Sequence, residues 1–382
     1  MSQQPSPPLV PTRKLTVKAG LPASPRVMEV NVAEGDLPPW DLDSKLRVVK
    51  GRQPRLEGPL KVTGRAKYTF DVSLPGMLWG KMVRARVPAG EILGIDTARA
   101  EALPGVKAVW TTESRHVRFA GQDVAAVAAT SPELAEEAAR LVEVRCDERP
   151  FVTDLRRAME TDAPTVYDPD QFPEDTSEDE KKVPRRGNIV GPMLPRRGQR
   201  GDVEKGFAEA EVAIEATYEL PVHTHAPLES HGVVARWNGE QLEIWASTQG
   251  TFSVRNGAAD ALRMDRKNVT VHVEHMGGGF GSKLGPSANG TAFMVVACKL
   301  ARLAGAPVKM MLDRHEEHLC TGNAPSALMT TRLGAKKDGT LTAMHHRSFG
   351  SAGVASGAAT GGPFGMMYTG CPNLRVEEHD VF

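Results

Sequence analysis

Gly277-Gly278-Gly279-Phe280-Gly281-Ser282-Lys283 is the stretch of this chain whose residue types and spacing point most directly to chemistry. Glycines carry no Cβ, so they can take positive φ and let the backbone come close to a ligand. Upstream, Val269, Val271 and Val273 alternate with polar residues, the period of a strand with one buried face. Downstream, residues 288–304 are rich in Ala, Leu, Met and Val and stop at Gly305, with Pro307 beyond, as a helix with a glycine terminator does. The glycines therefore sit in a strand-to-helix turn, where a helix start offers free N–H groups to an anion. Neither familiar phosphate loop fits. A dinucleotide fingerprint from Gly277 needs glycine where Ser282 stands, and a Walker A loop ending at Lys283 needs Ser or Thr where Leu284 stands. A structural turn is the plain alternative, but four glycines around one aromatic is a great deal of permissive backbone for a connection.

A second constellation is His223, His225 and His231. The first two would share one face of a strand, which is metal-ligand spacing, and the third could reach them. Beyond Glu229 no acid or thiol completes the set, so ordinary polar residues near a buried edge are the favoured reading. Cys146, Cys298, Cys320 and Cys371 lie far apart without C-x-x-C spacing, which offers neither an iron–sulfur site nor a disulfide framework. Lys+Arg and Asp+Glu are both 47. That balance excludes a general binder of nucleic acid or anionic membrane. The basic stretch over 185–200 lacks aromatic interleaving for base stacking. No apolar run reaches the ~18–20 residues of a membrane span. The N-terminus has neither a secretory apolar core nor a twin-arginine pair, so a reduced cytoplasm is expected, a periplasmic location requiring a partner's signal.

The elements that must position these residues fall into four segments. Residues 1–50 are proline-rich with little periodicity and read as a disordered or extended arm. Residues 51–167 read as a small α+β domain. It opens strand–turn–strand over Gly58–Gly64, Tyr68–Asp71 and Met77–Arg84, and later has a helix opened by Ser131-Pro132-Glu133 in N-cap and N1 order. Residues 168–200 combine opposed charge blocks with Pro and Gly, a solvated linker. Residues 201–382 hold strands over 212–220 and 242–246, the second ending in Ser247-Thr248-Gln249-Gly250. A helix over 252–262, a hairpin around Lys337-Asp338-Gly339 and a Gly/Ala-rich tail from Gly350 follow.

Three blocks together carry a resemblance. They are GPLKVTGRAKYTFDVSLPGMLWGKMVRARVP with ALPGVKAVWT; GDVEKGFAEAEVAIEATYELPVHTHAPLESHG; and the run from WASTQG through VEHMGGGFGSKLG to VKMMLDRHEEHLCTGNAPSALMTTRLGAKKDGTL. Over roughly residues 50–382 the chain resembles the N-terminal half of the large, molybdenum-binding subunit of the xanthine dehydrogenase and aldehyde oxidase family, above all bacterial aldehyde oxidoreductase subunits. The resemblance implies an α+β protein: a hammerhead-type α/β domain (51–167), then an incomplete molybdopterin-binding α+β domain (201–382) whose second domain is absent. It implies a molybdenum–molybdopterin cofactor, the cytosine dinucleotide form included, with no direct side-chain ligation of the metal. Gln249 matches the glutamine beside the metal's oxo ligand. Gly278, Gly279 and Phe280 match the loop lying against the metal end of the cofactor. Leu284 occupies the place where purine-oxidising members carry an acid, which favours aldehydes or apolar heteroaromatics.

The implied reaction is oxidation of such a C–H bond with water as oxygen source. Electrons would pass to iron–sulfur and FAD subunits. The family's base glutamate is expected in the missing half, so no catalytic residue is assigned within this chain; Glu377 and Glu378 sit in an expected strand without a base-like context. A companion chain would supply the second molybdopterin-binding domain, and without it inactivity and a mobile Gly350–Met367 stretch are expected. The rival from another class is a non-catalytic fragment or scaffold from a split or truncated gene.

Overall fold

The computed structural model describes residues 11–21, 24–37, 39–46, 48–49, 54–173, 176–195, 198–285, 291–355 and 357–382. They form two compact units, Met1–Ala66 and Lys67–Phe382. In the first, Thr12–Leu21 pairs antiparallel with Ser24–Ala33, so the stretch expected as an arm over 1–50 contains a β-hairpin. Gly58–Val62, expected as strand, is a helical turn with proline in its first turn, where a missing N–H costs nothing. In the second unit Thr69–Asp71 is likewise a 3-10 turn rather than strand, and the Asp71 carboxylate accepts the Tyr68 N–H at 2.9 Å.

The second unit is built on a mixed seven-stranded sheet. Its order is Val269–His272, Gln241–Ala246, Gly232–Asn238, Val308–Met311, Leu78–Arg84, Asp123–Ala129, Val106–Thr111. Val308–Met311 runs parallel to Leu78–Arg84, so the sheet crosses the boundary expected between 51–167 and 201–382. Asp123–Ala129 is buried along its whole length, because both faces of the sheet are covered. Ala126 and Ala128 join the core of the Phe293–Ala304 helix, while Ala125, Val127 and Ala129 pack with Ala135 and Ala138 of the Pro132–Leu141 helix. That is why this strand is a near-continuous apolar run. Ser131 caps its helix by accepting the Leu134 N–H, and Gly305 ends the other at φ +62°; both follow the sequence pattern.

A buried ionic clamp ties this sheet to the elements after the glycine loop. Arg84 donates to Asp123 at 2.5 Å and to Glu316 at 2.9 Å. Asp123 also accepts from Thr291 Oγ1 and the Ala292 N–H at 2.8 and 2.7 Å. The helix start expected just past the glycines lies at Phe293 instead, and a protein carboxylate already occupies the place expected for an anion. Residues 288–290 of the expected helix lie outside the described residues.

A second sheet orders Val212–Leu220, Ala327–Ala335, Leu341–Ser351, Leu374–Val381, Ile189–Met193 and Arg185–Arg186, with Gln199–Arg200 also on Leu374–Val381. The segment expected as a solvated linker over 168–200 therefore supplies strands to a sheet. Within the Gly/Ala-rich stretch, several backbone groups find carboxylate partners. Gly357 and Ala358 donate N–H groups to Asp380, each at 2.8 Å, and Gly361 and Gly362 donate to Glu378. Among the described residues no helix is long and apolar enough to cross a membrane.

Removing one partner of a buried charge pair leaves the other unpaired, at a cost of ~3–5 kcal/mol. Asp123→Ala is expected to lower the unfolding free energy by that order in urea titration. Glu136→Ala, at an exposed pair, should leave the midpoint within error.

Candidate functional site

The glycine loop sits where three chain segments are delivered to one end of the first sheet. Gly232–Asn238 and Gln241–Ala246 form an antiparallel hairpin with Val233 opposite Ala246, so residues just before 232 lie beside those just after 246. Val269–His272 runs parallel to Gln241–Ala246, reached through the Thr251–Leu262 helix. The carboxyl ends of both strands therefore point the same way, the usual place for a site in a sheet with parallel strands. Segments 229–231, 247–249 and 277–284 meet there.

The peptide groups of the loop lie outside any helix or strand and need other partners. Glu229 holds one end: its Oε2 accepts the Gly277 N–H at 2.6 Å, and its own N–H donates to the Gly277 carbonyl at 3.2 Å. Gln249 holds the middle. Its Oε1 accepts the N–H groups of Gly281 at 2.9 Å and Lys283 at 3.3 Å. The Lys283 carbonyl accepts the Gln249 N–H at 2.7 Å and the Thr248 hydroxyl at 2.8 Å. Two donors on Oε1 fix which way the amide faces. Both Nε2 hydrogens remain as donors, with no protein acceptor among the described residues.

Beneath the loop lies a fully buried polar layer. The ring of His231 approaches Glu317 Oε1 through Nδ1 at 2.7 Å and the Ser282 carbonyl through Nε2 at 3.0 Å. Both ring nitrogens face oxygen atoms, which fixes the orientation of the ring. Burial pushes the Glu317 carboxyl up, but the His231 donors outweigh it and hold Glu317 below its ordinary value. Lys283 extends its ammonium inward to the Glu229 carbonyl and Ser247 Oγ, each at 2.7 Å. Burial lowers it from 10.5 to about 8, with Glu229 and Glu317 opposing.

The glycines answer to specific neighbours. A Cβ at Gly279 would stand 2.6 Å from Gln249 Cδ, and one at Gly277 2.5 Å from Glu229 Cβ. Ser282 N–H closes a turn on the Gly279 carbonyl at 3.0 Å, whose central residues Phe280 and Gly281 have φ +54° and +100°. For a phenylalanine that conformation costs of order ~1–3 kcal/mol. The structure spends it on a ring that is 70% exposed. Leu284 is also exposed.

Gln249, Gly278, Gly279 and Phe280 are thus brought together, and Leu284 follows at the rim. Among the described residues no group of three His, Cys, Asp or Glu side chains is placed to hold a metal ion; His231 is committed to Glu317, and His223 pairs its backbone with Ala324. The sequence reading missed the supporting roles of Glu229, Ser247, Thr248 and Lys283. A usable signal existed in the hairpin register, which sets Glu-Ser-His against Ser-Thr-Gln.

Lys283 yields a pH test. Its folded value lies below its unfolded one, so the unfolded chain holds more protons between the two. Stability contributed at this site should rise by ~1–3 kcal/mol from pH 8 to 10.5. The rise should vanish in Lys283→Met, measured as the pH dependence of the urea midpoint in both proteins.

Comparison with known proteins identifies two domains. Residues 185–381 match the model of the molybdopterin cofactor-binding domain, and residues 63–115 match that of the aldehyde oxidase and xanthine dehydrogenase a/b hammerhead domain. The probable hypoxanthine oxidase XdhD of Escherichia coli O157:H7 is 31% identical over 84% of this chain and 38% of its own length. The aldehyde oxidoreductase molybdenum-binding subunit PaoC of E. coli K12 is 31% identical over 80% and 40%. The nicotinate dehydrogenase large molybdopterin subunit of Eubacterium barkeri is 28% identical over 84% and 76%. Among solved structures, CO dehydrogenase from Oligotropha carboxidovorans superposes with a TM-score of 0.70 at 26% identity, over 86% of this chain and 44% of its own. The chain therefore spans about two fifths of the length of relatives such as XdhD and PaoC. With the molybdopterin-binding model matched over more than half its residues, it belongs to the xanthine dehydrogenase and aldehyde oxidase family of molybdenum-binding subunits.

Proposed function

We propose that this chain forms one wall of the cofactor site of a molybdenum hydroxylase that oxidises aldehydes or apolar heteroaromatics. The observation that carries this is the fixed amide of Gln249. Its oxygen is consumed by the loop, so it presents donors only, which suits an oxo-bearing group. When bound, the molybdenum–molybdopterin cofactor supplies oxidation of a C–H bond with oxygen drawn from water. The residues fit such a group. Gly278 sets no side chain beside the Phe280 ring, Gly279 makes room for Gln249, Phe280 offers an exposed ring face, and Gln249 would orient the oxo end by hydrogen bonding. Leu284 presents an apolar rim that cannot pair with a polar purine edge.

A proton acceptor must come from elsewhere. Burial pushes Glu377 up, but His345, Arg347 and Arg375 all donate to it and bring it down to about 2. Glu378 and Asp380 hold the Gly/Ala-rich stretch. A companion chain is proposed to bring the base glutamate and the second molybdopterin-binding domain, with iron–sulfur and FAD subunits taking the electrons.

The experiment is co-purification of the assembled complex followed by elemental analysis. Wild type should carry molybdenum and turn over benzaldehyde faster than xanthine. Gly279→Val, whose side chain must displace Gln249, should lose at least ten-fold of the metal while the chain remains folded by circular dichroism. Equal metal in both proteins would remove the loop from the site, and faster xanthine turnover would overturn the substrate class.

A further inference from the structure

The helix Thr251–Leu262 starts two residues beyond Gln249 and carries an arginine in its second turn. Its start is seated on the glycine loop: a Cβ at Gly250 would stand 3.1 Å from the Leu284 carbonyl oxygen. Val254, Ala258 and Ala259 bury the inner side of the helix. Phe252, off that side, is 68% exposed, and Phe280 and Leu284 of the loop are exposed as well. Arg255 follows Phe252 by three residues, so the two side chains are neighbours on the helix surface. The guanidinium carbon lies 4.8 Å from the centre of the Phe252 ring, a contact that orients the cation. Its Nε and Nη2 donate to Asn256 Oδ1 at 3.1 and 3.0 Å, and that amide carries no charge to offset the guanidinium. The one acid of the helix, Asp260, is taken by Arg266 instead. Both hydrogens on Nη1 and one on Nη2 are left over, at the end of the fork that holds a carboxylate with two parallel bonds.

We propose that Arg255 is a specificity-determining residue that selects substrates with an apolar ring and an acidic substituent, such as an aromatic aldehyde bearing a carboxylate. The proposal rests on the function argued above and narrows its substrate class. Gln249 presents donors at the reacting end, and Phe252, Phe280 and Leu284 offer apolar surface to a ring. Arg255 adds a fork that an uncharged aldehyde would leave unused. The spacing suits one ring. Gly250 and Arg255 stand roughly 7 Å apart along the helix axis at the usual rise per residue, a distance that a para-substituted ring spans. Helical side chains also lean toward the N-terminus of their helix. The contact with Phe252 shows that Arg255 does so, which carries its charge back toward Gln249.

The test uses the assembled, metal-loaded complex and two substrates of nearly equal size, 4-formylbenzoate and its uncharged methyl ester. In wild type the kcat/KM for the acid should exceed that for the ester at least ~10-fold. Arg255→Gln should raise the KM for the acid ~10–100-fold, the scale of a hydrogen bond to a charged group, and bring acid and ester near parity. Arg255→Lys, which keeps the charge without the fork, should fall between the two. Isothermal titration calorimetry with terephthalate, which needs no turnover, should show the same order of affinities. An acid that wild type favours no more than its ester, or a preference that survives in Arg255→Gln, overturns the assignment and leaves the proposed function standing. A lower urea midpoint or lower molybdenum content in Arg255→Gln would make the arginine a support of the fold or of the cofactor site, and overturns it too. Oxidation of benzaldehyde but of neither probe removes the subsite alone; a complex that oxidises no aldehyde removes the proposed function with it.

Discussion

The site depends on one constraint: the peptide groups of residues 277–283 must find partners outside any regular element. Glu229, His231 and Gln249 meet it from three sides, with Thr248 on the last carbonyl. Each of these side chains comes from the mouth of one hairpin, so the register of Gly232–Asn238 against Gln241–Ala246 sets the shape of the loop. A one-residue slip would turn every side chain to the other face. Gly279 is glycine because Gln249 occupies the space of its Cβ. The residue that would present donors to a ligand is therefore the same one that fixes the loop.

Charge is used here largely to build. Lys283 is buried on the Glu229 carbonyl and the Ser247 hydroxyl, and Glu317, Arg84, Asp123 and Glu316 are held in ion pairs. They join the loop to the helix after it and to strands far back in the chain. Glu377, Glu378 and Asp380 serve the second sheet in the same way. Their bonds account for the acids near the chain's end without any catalytic role.

Much of this architecture was legible in the sequence because it is local. Alternation marked Val269–His272 and Val212–Leu220, Ser131 marked a helix start, and Gly305 a helix end. What was not legible is long-range. Nothing near Val308 announces its parallel pairing with Leu78. The prolines and charges of 185–200 concealed Ile189–Met193, whose partner lies at 374–381. The helix expected from residue 288 starts at Phe293, where its capping acid, Asp123, comes from a strand more than 160 residues earlier. Lys283 enters the sequence reading only as the end of a Walker A template, and its burial follows only once the hairpin mouth is assembled.

The central claim is that protein side chains hold the glycine loop in its binding shape before any cofactor arrives. Amide hydrogen exchange on the metal-free chain tests this most directly. The N–H groups of Gly277, Gly281 and Lys283 are bonded to side-chain oxygens, so they should exchange at least ~10³-fold slower than unstructured amides. Gln249→Ala should release Gly281 and Lys283 while leaving Gly277 protected. Exchange of all three at unprotected rates in the wild-type chain would contradict a preformed loop.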